Sequence, residues 1–368
     1  MYFIVSAGGT AGHINPAIAV ADELRTRGHD VLFVGTPDHI EGELARKEGF
    51  EFVGFSVSGF DKAHPTTLVS SGVKILRATG KAKKLFKERR PDAVATFGAY
   101  VSVPVGRAAV SMGIPLIIHE QNSVPGMANV YLAPKADVTA LTYADSAQHL
   151  DPKRPAVVTG NPVRASFETC SRERGRDMLG IPDDATVLLV FGGSLGAQHI
   201  NRAICAMKKK LLSIGDLYVV QSTGKADYDS VVEELKLRDK QKARWKVFPY
   251  IDEMGDVLAA SDLVVSRAGA SSLAEIMTVG VPSILVPYPY ARGDHQTLNA
   301  RSCVNEGASV LVKDEDVEGE DFANLVCGLL VDRKRRATMS AASKRLSGSA
   351  SRRQLADLVI EATGARQP

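Results

Sequence analysis

The segment YFIVSAGGTAGHINPAIAVADEL at residues 2–24 decides the fold, because a near-copy, VLLVFGGSLGAQHINRAICAMKKKL, returns at residues 187–211. Each copy reads as an apolar strand, a glycine turn of the form G-G-[T/S]-x-G, and an amphipathic helix. Glycines at such a turn let the backbone approach a ligand, and the bare amides of the helix start attract negative charge, so each copy reads as a cradle for phosphate or sugar. One chain carries two Rossmann-like units.

Outward from these units, apolar runs alternate with helical patterns, which indicates parallel βαβ repeats and an α/β fold. The expected strands of the first half are residues 3–6, 31–34, 93–97, 116–119, 138–141 and 156–159. Those of the second half are residues 187–191, 218–221, 245–248, 263–266, 283–286 and 309–312. Turn residues in TGNPVR, 159–164, set the boundary near residues 161–163. The expected domains are residues 1–162 and 163–344. A final helix carries Leu355, Leu358, Val359 and Ala362 at i, i+3, i+4, i+7 spacing, so it must pack on a domain, and the segment 345–368 is expected to complete the first. Ligands of open parallel sheets bind beyond the carboxyl ends of the strands, so a cleft between the two domains is the expected site.

Composition bounds the function. The 368 residues exceed what one core usually fills, and 45% hydrophobic with 24% charged residues is ordinary globular usage. A net charge of +3 argues against a nucleic-acid binder. Cys170, Cys205, Cys303 and Cys327 are far apart with no C-x-x-C, which indicates reduced cytosolic thiols and neither a zinc site nor a disulfide framework. No basic leader precedes the first strand and no apolar run reaches the roughly 18–20 residues of a span, so the chain is expected neither to be secreted nor to cross a membrane.

The motifs each carry two readings. Gly8-Gly9-Thr10-Ala11-Gly12-His13 is not the dinucleotide fingerprint, although Asp38 past the second strand imitates a ribose-binding acid and keeps a nicotinamide enzyme as a competitor. His13 either caps a helix start or presents an imidazole able to take a proton from a hydroxyl. His119-Glu120-Gln121-Asn122 groups four polar side chains at one strand end, suited to sugar hydroxyls, with His119 or Glu120 alternatively tying down the loop. Gly192-Gly193-Ser194-Leu195-Gly196 would converge a hydroxyl and amides on a diphosphate, with Arg164 as a nearby cation. In Arg267-Ala268-Gly269-Ala270-Ser271-Ser272-Leu273-Ala274-Glu275, Ser272 and Glu275 match a capping box, and the competing role of Glu275 is to accept ribose hydroxyls. Asp227-Tyr228-Asp229 resembles a metal-binding D-x-D but opens a charged helical segment and reads as a helix start. No metal is expected. KILRATGKAKKLFKERR, residues 74–90, holds eight basic residues and one acidic residue. With Leu68, Val69, Val73, Ile75, Leu76, Leu85 and Phe86 interleaved, the stretch from Leu68 to Arg90 reads as a face for an anionic membrane rather than a solvated helix.

GGTAGHINPAIAVA, TFGAYVSVP, HEQNSVPGMAN, TGNPVR, GGSLGAQHIN, SRAGASSLAEI and DHQTLNA, in this order over nearly the whole chain, resemble the MurG family of peptidoglycan N-acetylglucosaminyltransferases. The resemblance implies a GT-B fold, two Rossmann-like parallel-sheet domains facing a deep cleft, and no cofactor. It implies inverting transfer of N-acetylglucosamine from UDP-GlcNAc to the 4-hydroxyl of the N-acetylmuramoyl sugar of lipid I (undecaprenyl-pyrophosphoryl-MurNAc-pentapeptide), giving lipid II. Peripheral attachment to the cytoplasmic side of the bacterial plasma membrane and partnership with other cell-wall synthesis proteins follow from the same resemblance. Substrate contacts fall by family pattern on Thr10, Ala11, Gly12, Asn122, Arg164, Ser194, Ile251, Ala270, Ser271, Ser272, Glu275, His295 and Gln296. His13 becomes the acceptor-side base, with Tyr100, His119, Glu120, Asn129, Asn201 and Arg267 around the reaction. Some members have glycine at Ala11 and glutamine at His295. A UDP-GlcNAc 2-epimerase would share fold and donor but need no lipid, and a non-catalytic nucleotide-sugar module would keep the second cradle without needing His13.

Overall fold

The structure, a computed structural model, describes residues 1–37, 39–57, 66–193 and 196–364, with the side chains of 66–70 outside that description. Its contacts divide the chain into two units, Met1–Arg164 joined by the segment from Gly348 onwards, and Ala165–Ser347.

The first unit runs β1 (Tyr2–Ser6), α1 (Ala11–Thr26), β2 (Asp30–Gly35), α2 (Ile40–Lys47), β3 (Glu51–Gly54) and α3 (Thr66–Arg89). It continues through β4 (Ala93–Thr96), α4 (Ala99–Ser111), β5 (Leu116–Glu120), α5 (Met127–Leu132), β6 (Val138–Leu141) and β7 (Val157–Val158). All seven strands are parallel in the order β3-β2-β1-β4-β5-β6-β7, so the order reverses between β1 and β4. Alternation along β1 feeds two cores: Phe3 and Val5 face α1, while Ile4 faces Ala78, Ala82 and Phe86 of α3. The edge strand β3 is a finding the sequence reading did not contain.

The second unit begins with α6 (Arg172–Leu179), β8 (Thr186–Phe191), α7 (Gln198–Ala206), α8 (Lys208–Leu212), β9 (Leu217–Ser222), α9 (Tyr228–Leu235), α10 (Asp239–Lys242) and β10 (Trp245–Phe248). It ends with α11 (Met254–Ala260), β11 (Leu263–Ser266), α12 (Ala270–Val279), β12 (Ser283–Leu285), α13 (His295–Asn305), β13 (Ser309–Leu311), α14 (Glu320–Val331) and α15 (Arg333–Arg345). Its six parallel strands lie in the order β10-β9-β8-β11-β12-β13, reversing between β8 and β11. Asp227 precedes α9 and accepts from Asn201 Nδ2 at 3.0 Å, so the D-x-D segment is a helix start.

The last helix, α16 (Ser351–Gly364), belongs to the first unit and buries Leu355, Ala356, Val359 and Ala362 in the α1 core. Full burial of a side chain such as Leu355 stabilises by about 2 kcal/mol. Polar clamps fix its register: Glu23 of α1 accepts from Arg352 at 2.7 Å and from Arg27 at 2.8 Å.

Candidate active site

In a doubly wound sheet the two loops at the reversal of strand order splay apart and leave a crevice for ligand. In the first unit these loops follow β1 and β4. Gly9 has φ +85°, Gly98 has φ +90°, and Ala99 has φ +64°, a left-handed conformation that costs a non-glycine residue about 1 kcal/mol or more. A Cβ on Gly98 would lie 2.9 Å from His13 Cδ2 and 3.2 Å from Nε2, so the imidazole rests on backbone that only glycine leaves bare. His13 is half-buried in the first turn of α1, and its Nδ1 is 3.3 Å from Thr10 Oγ1. Thr10 caps no backbone amide, while Ala11 and Gly12 are half-buried beside it. Tyr100, in the first turn of α4, is 43% exposed.

The polar group after β5 is a brace for this wall. His119 is buried, donates Nε2–H to Gly160 O at 3.0 Å and accepts at Nδ1 from Gln121 at 3.1 Å; Gln121 also donates to Phe97 O at 3.1 Å. Burial lowers the His119 pKa to about 4, with the Gly160 bond opposing and neighbouring His13 reinforcing the shift. Glu120 has both oxygens occupied: Oε1 accepts from the Asn122 amide at 2.9 Å, and Oε2 from Gly126 N at 3.0 Å and Asn129 Nδ2 at 2.8 Å. The alternative in which His119 or Glu120 ties down the loop holds for both. Asn129 is buried and works with Glu120 in that brace.

In the second unit the reversal loops follow β8 and β11. Gly192 and Gly196 are fixed there by close packing, since a Cβ on Gly196 would lie 2.1 Å from Thr223 O and one on Gly192 2.3 Å from Ala197 N, while Gly193 has open space around it and is required by its φ of +85°. Ser194 and Leu195 lie outside the described residues, as does Asp38. Asn201 of α7 is buried, donating to Thr223 O at 2.9 Å and accepting from Gln221 at 3.3 Å, so its amide anchors the helix rather than facing outward.

One expectation fails outright. The capping box of Ser272 and Glu275 requires a helix that starts after Ser272, but α12 starts at Ala270 with Gly269 as its N-cap. Glu275 is instead in the second turn and 9% exposed. Ala270 is buried, and Ser271 and Ser272 are half-buried in the first turn. Gln296 Oε1 accepts from Ala268 N at 3.2 Å and Tyr288 N at 2.9 Å, joining the exits of β11 and β12. His295 Nδ1 donates to Arg292 O at 3.0 Å, and Ile251 is buried. Arg267 is 9% exposed and bonds to Val286 O, Pro287 O and Asp314. Arg164, half-buried, is the last residue of the first unit's main segment.

The basic helix α3 also differs from its sequence reading. Phe86 is 1% exposed in the core and Leu85 packs beside it, so they do not belong to an outer face. Val73 and Leu76, at 42% and 60% exposed, do, amid exposed Lys74, Arg77, Lys81 and Lys84. Leu68 and Val69 have side chains outside the described residues. Among the described residues no helix is long and apolar enough to cross a membrane.

Two doubly wound parallel domains, each with a glycine loop at its reversal point, make up the GT-B fold, which glycosyltransferases share with nucleotide-sugar epimerases. Residues 3–141 match the glycosyltransferase family 28 N-terminal domain and residues 187–358 match the family 28 C-terminal domain. Over 364 residues the chain is 39% identical to a Halothermothrix orenii protein named UDP-N-acetylglucosamine--N-acetylmuramyl-(pentapeptide) pyrophosphoryl-undecaprenol N-acetylglucosamine transferase, with 98% of each covered. The crystal structure of Acinetobacter baumannii MurG aligns with a TM-score of 0.75 at 27% identity, covering 98% of this chain and 99% of that one. A UDP-N-acetylglucosamine 2-epimerase crystal structure aligns with a TM-score of 0.69, covering 100% of this chain and 98% of that one, but at 16% identity it shares the fold alone. The chain belongs to glycosyltransferase family 28 and, within it, to the MurG family of N-acetylglucosamine transferases.

Proposed function

We propose that the chain moves N-acetylglucosamine from UDP-GlcNAc to the 4-hydroxyl of the N-acetylmuramoyl sugar of lipid I, with inversion, forming lipid II for peptidoglycan. The observation that carries this reading is His13, held on the bare backbone of Gly98 at the strand-order reversal of the first sheet. In the tautomer in which Nδ1–H donates to Thr10 Oγ1 the lone pair is on Nε2, and that nitrogen is assigned as the general base. That base takes the acceptor hydroxyl proton as the oxygen attacks the anomeric carbon. His119, Glu120 and Asn129 support it by fixing the loops after β4 and β5, and Tyr100 flanks the acceptor.

On the donor side, negative charge grows on UDP as the anomeric bond breaks, and preorganised amides and cations stabilise it best where water is excluded. The start of α7, Ser194 and Arg164 are assigned to the diphosphate, and Ile251 to the base. Glu275 accepts the ribose hydroxyls; its place in the second turn of α12, the helix that follows β11 at the strand-order reversal, supports this. Ala270, Ser271, Ser272, His295 and Gln296 frame the nucleotide and sugar, Thr10, Ala11, Gly12 and Asn122 complete the sugar contacts, and Arg267 and Asn201 hold the surrounding loops. Attachment to the cytoplasmic face of the plasma membrane is assigned to α3, whose outward Val73 and Leu76 among lysine and arginine suit an anionic lipid surface.

The test is incubation of the full-length chain with UDP-GlcNAc and a soluble lipid I analogue. Disaccharide formation with release of UDP is expected. Epimerised nucleotide sugar without acceptor, or binding with no turnover, would refute the transfer reading.

A further inference from the structure

At the carboxyl edge of the second sheet, a polar relay joins four strand exits. Arg267, after β11, donates Nη1 to Val286 O at 3.3 Å and Pro287 O at 3.2 Å, both after β12, and to Asp314 Oδ1 at 2.5 Å, after β13. The other carboxylate oxygen of Asp314 accepts from His199 Nδ1 at 2.8 Å. His199 is the second residue of α7, three positions beyond Gly196, and its Nε2 is 3.1 Å from Glu318 Oε1. The side chains of Arg267 and Asp314 are only 10% and 17% exposed. Burial raises the pKa of Asp314, but the hydrogen bonds from His199 and Arg267 outweigh it and hold the carboxyl below its ordinary value.

The start of α7 is thus gripped from two sides. Toward β9 it is held by Gly196 packed on Thr223 O and by Asn201. Toward β13 it is held by His199 on Asp314. Charge-assisted hydrogen bonds are the stronger kind, and misplacing binding groups by about 1 Å can cost about 10²-fold in rate.

We propose that Asp314 and His199 are positioning residues for the nucleotide donor: by holding Arg267 with one oxygen and His199 with the other, Asp314 sets the first turn of α7 in register with the β11 and β12 exits that Gln296 joins. This inference rests on the donor reading above, and it concerns two residues that touch no substrate in that reading.

The full-length enzyme is assayed with UDP-GlcNAc varied at saturating soluble acceptor, and UDP binding is measured by calorimetry. Losing one charge-assisted contact, Asp314→Asn should raise KM for UDP-GlcNAc and Kd for UDP by about tenfold and leave kcat within about twofold. His199→Ala should do the same, and His199→Gln, whose amide can still donate to Asp314, should recover most of the loss. The double variant His199→Ala/Asp314→Asn should be no worse than Asp314→Asn alone, because both cut one relay. Unchanged KM and Kd, a joint fall of kcat and melting temperature, or a His199→Gln variant as poor as His199→Ala would each overturn the proposal. Glu275→Ala separates the two layers: if it weakens UDP binding while Asp314→Asn does not, the inference fails and the donor reading stands; if neither weakens it, both fail.

Discussion

Replacing His119 with glutamine removes an imidazole that the fold accepts only in its neutral form. Its Nε2–H is given to Gly160 O and its Nδ1 receives Gln121, so both nitrogens are committed to one tautomer inside a buried site. Burial lowers the pKa from 6.5 to about 4. Between those values the unfolded chain binds a proton that the folded chain refuses. The contribution to stability is therefore full above about pH 6.5 and is lost as pH falls toward 4. At about 1.4 kcal/mol per tenfold change in proton affinity, the shift to about 4 is worth on the order of 3 kcal/mol. In urea unfolding of the full-length chain, the stability advantage of wild type over His119→Gln should shrink by about that amount between about pH 7 and pH 4. The single tryptophan, Trp245, lies in the second unit, so its fluorescence follows that unit, while circular dichroism follows both and reveals the transition of the first. A wild-type advantage that stays the same at both pH values would refute the reasoning, since a packing contribution alone does not titrate.

Three further outcomes are expected. His13→Ala should lower turnover by roughly 10²–10⁴-fold with donor affinity little changed, and steady-state kinetics against pH should lose the acid limb set by the imidazole; retention of that limb would assign the base elsewhere. Glu275→Ala should weaken UDP-GlcNAc binding by about 1–3 kcal/mol in a calorimetric titration, because a buried carboxylate that accepts hydroxyls has no substitute in a methyl group. Reversing Lys74, Arg77, Lys81 and Lys84 should release the chain from anionic vesicles in a sedimentation assay, each basic residue contributing about 1 kcal/mol, while transfer to a soluble acceptor persists; undiminished vesicle binding would remove α3 as the anchor.

The parallel strands were legible because strands buried on both faces are continuous apolar runs, such as Val187 to Phe191 in β8, where every residue is buried. β3 escaped because an edge strand has no such run: Glu51 and Gly54 are exposed and only Phe52 and Val53 are half-buried between them. The glycine loops were legible for a related reason, since backbone contacts as close as those at Gly196 leave no other residue type. Helix starts were less so. Ser272 and Glu275 have capping-box spacing, yet Gly269 opens α12 three residues earlier, so the correct register needed the strand exit as well as the local pattern. In α3 the charge was legible but the facing was not: the same amphipathic helix turns Ala78, Ala82 and Phe86 inward and Val73 and Leu76 outward. Asp314 had no local signal, being 115 residues from His199 and set in an acidic run that reads as surface.

The repeat itself shows how far local sequence reaches. His-Ile-Asn follows the last glycine of each loop, as His13-Ile14-Asn15 and His199-Ile200-Asn201, but Ala197 and Gln198 intervene only in the second copy. Ile14 and Ile200 are both driven into their cores, 0% and 1% exposed. The extra residues then change what the polar neighbours meet. In the first copy the helix starts two residues before the histidine, and the ring lies on Gly98, beyond the strand next to β1. In the second the helix starts one residue before it, and the ring donates to Asp314, beyond β13 at the sheet edge, while Arg267 occupies the exit of β11, the strand next to β8. One tripeptide thus supplies the imidazole proposed as base in the proposed acceptor domain and a brace in the proposed donor domain, and the two residues inserted between the last glycine and the histidine are the physical difference that separates them.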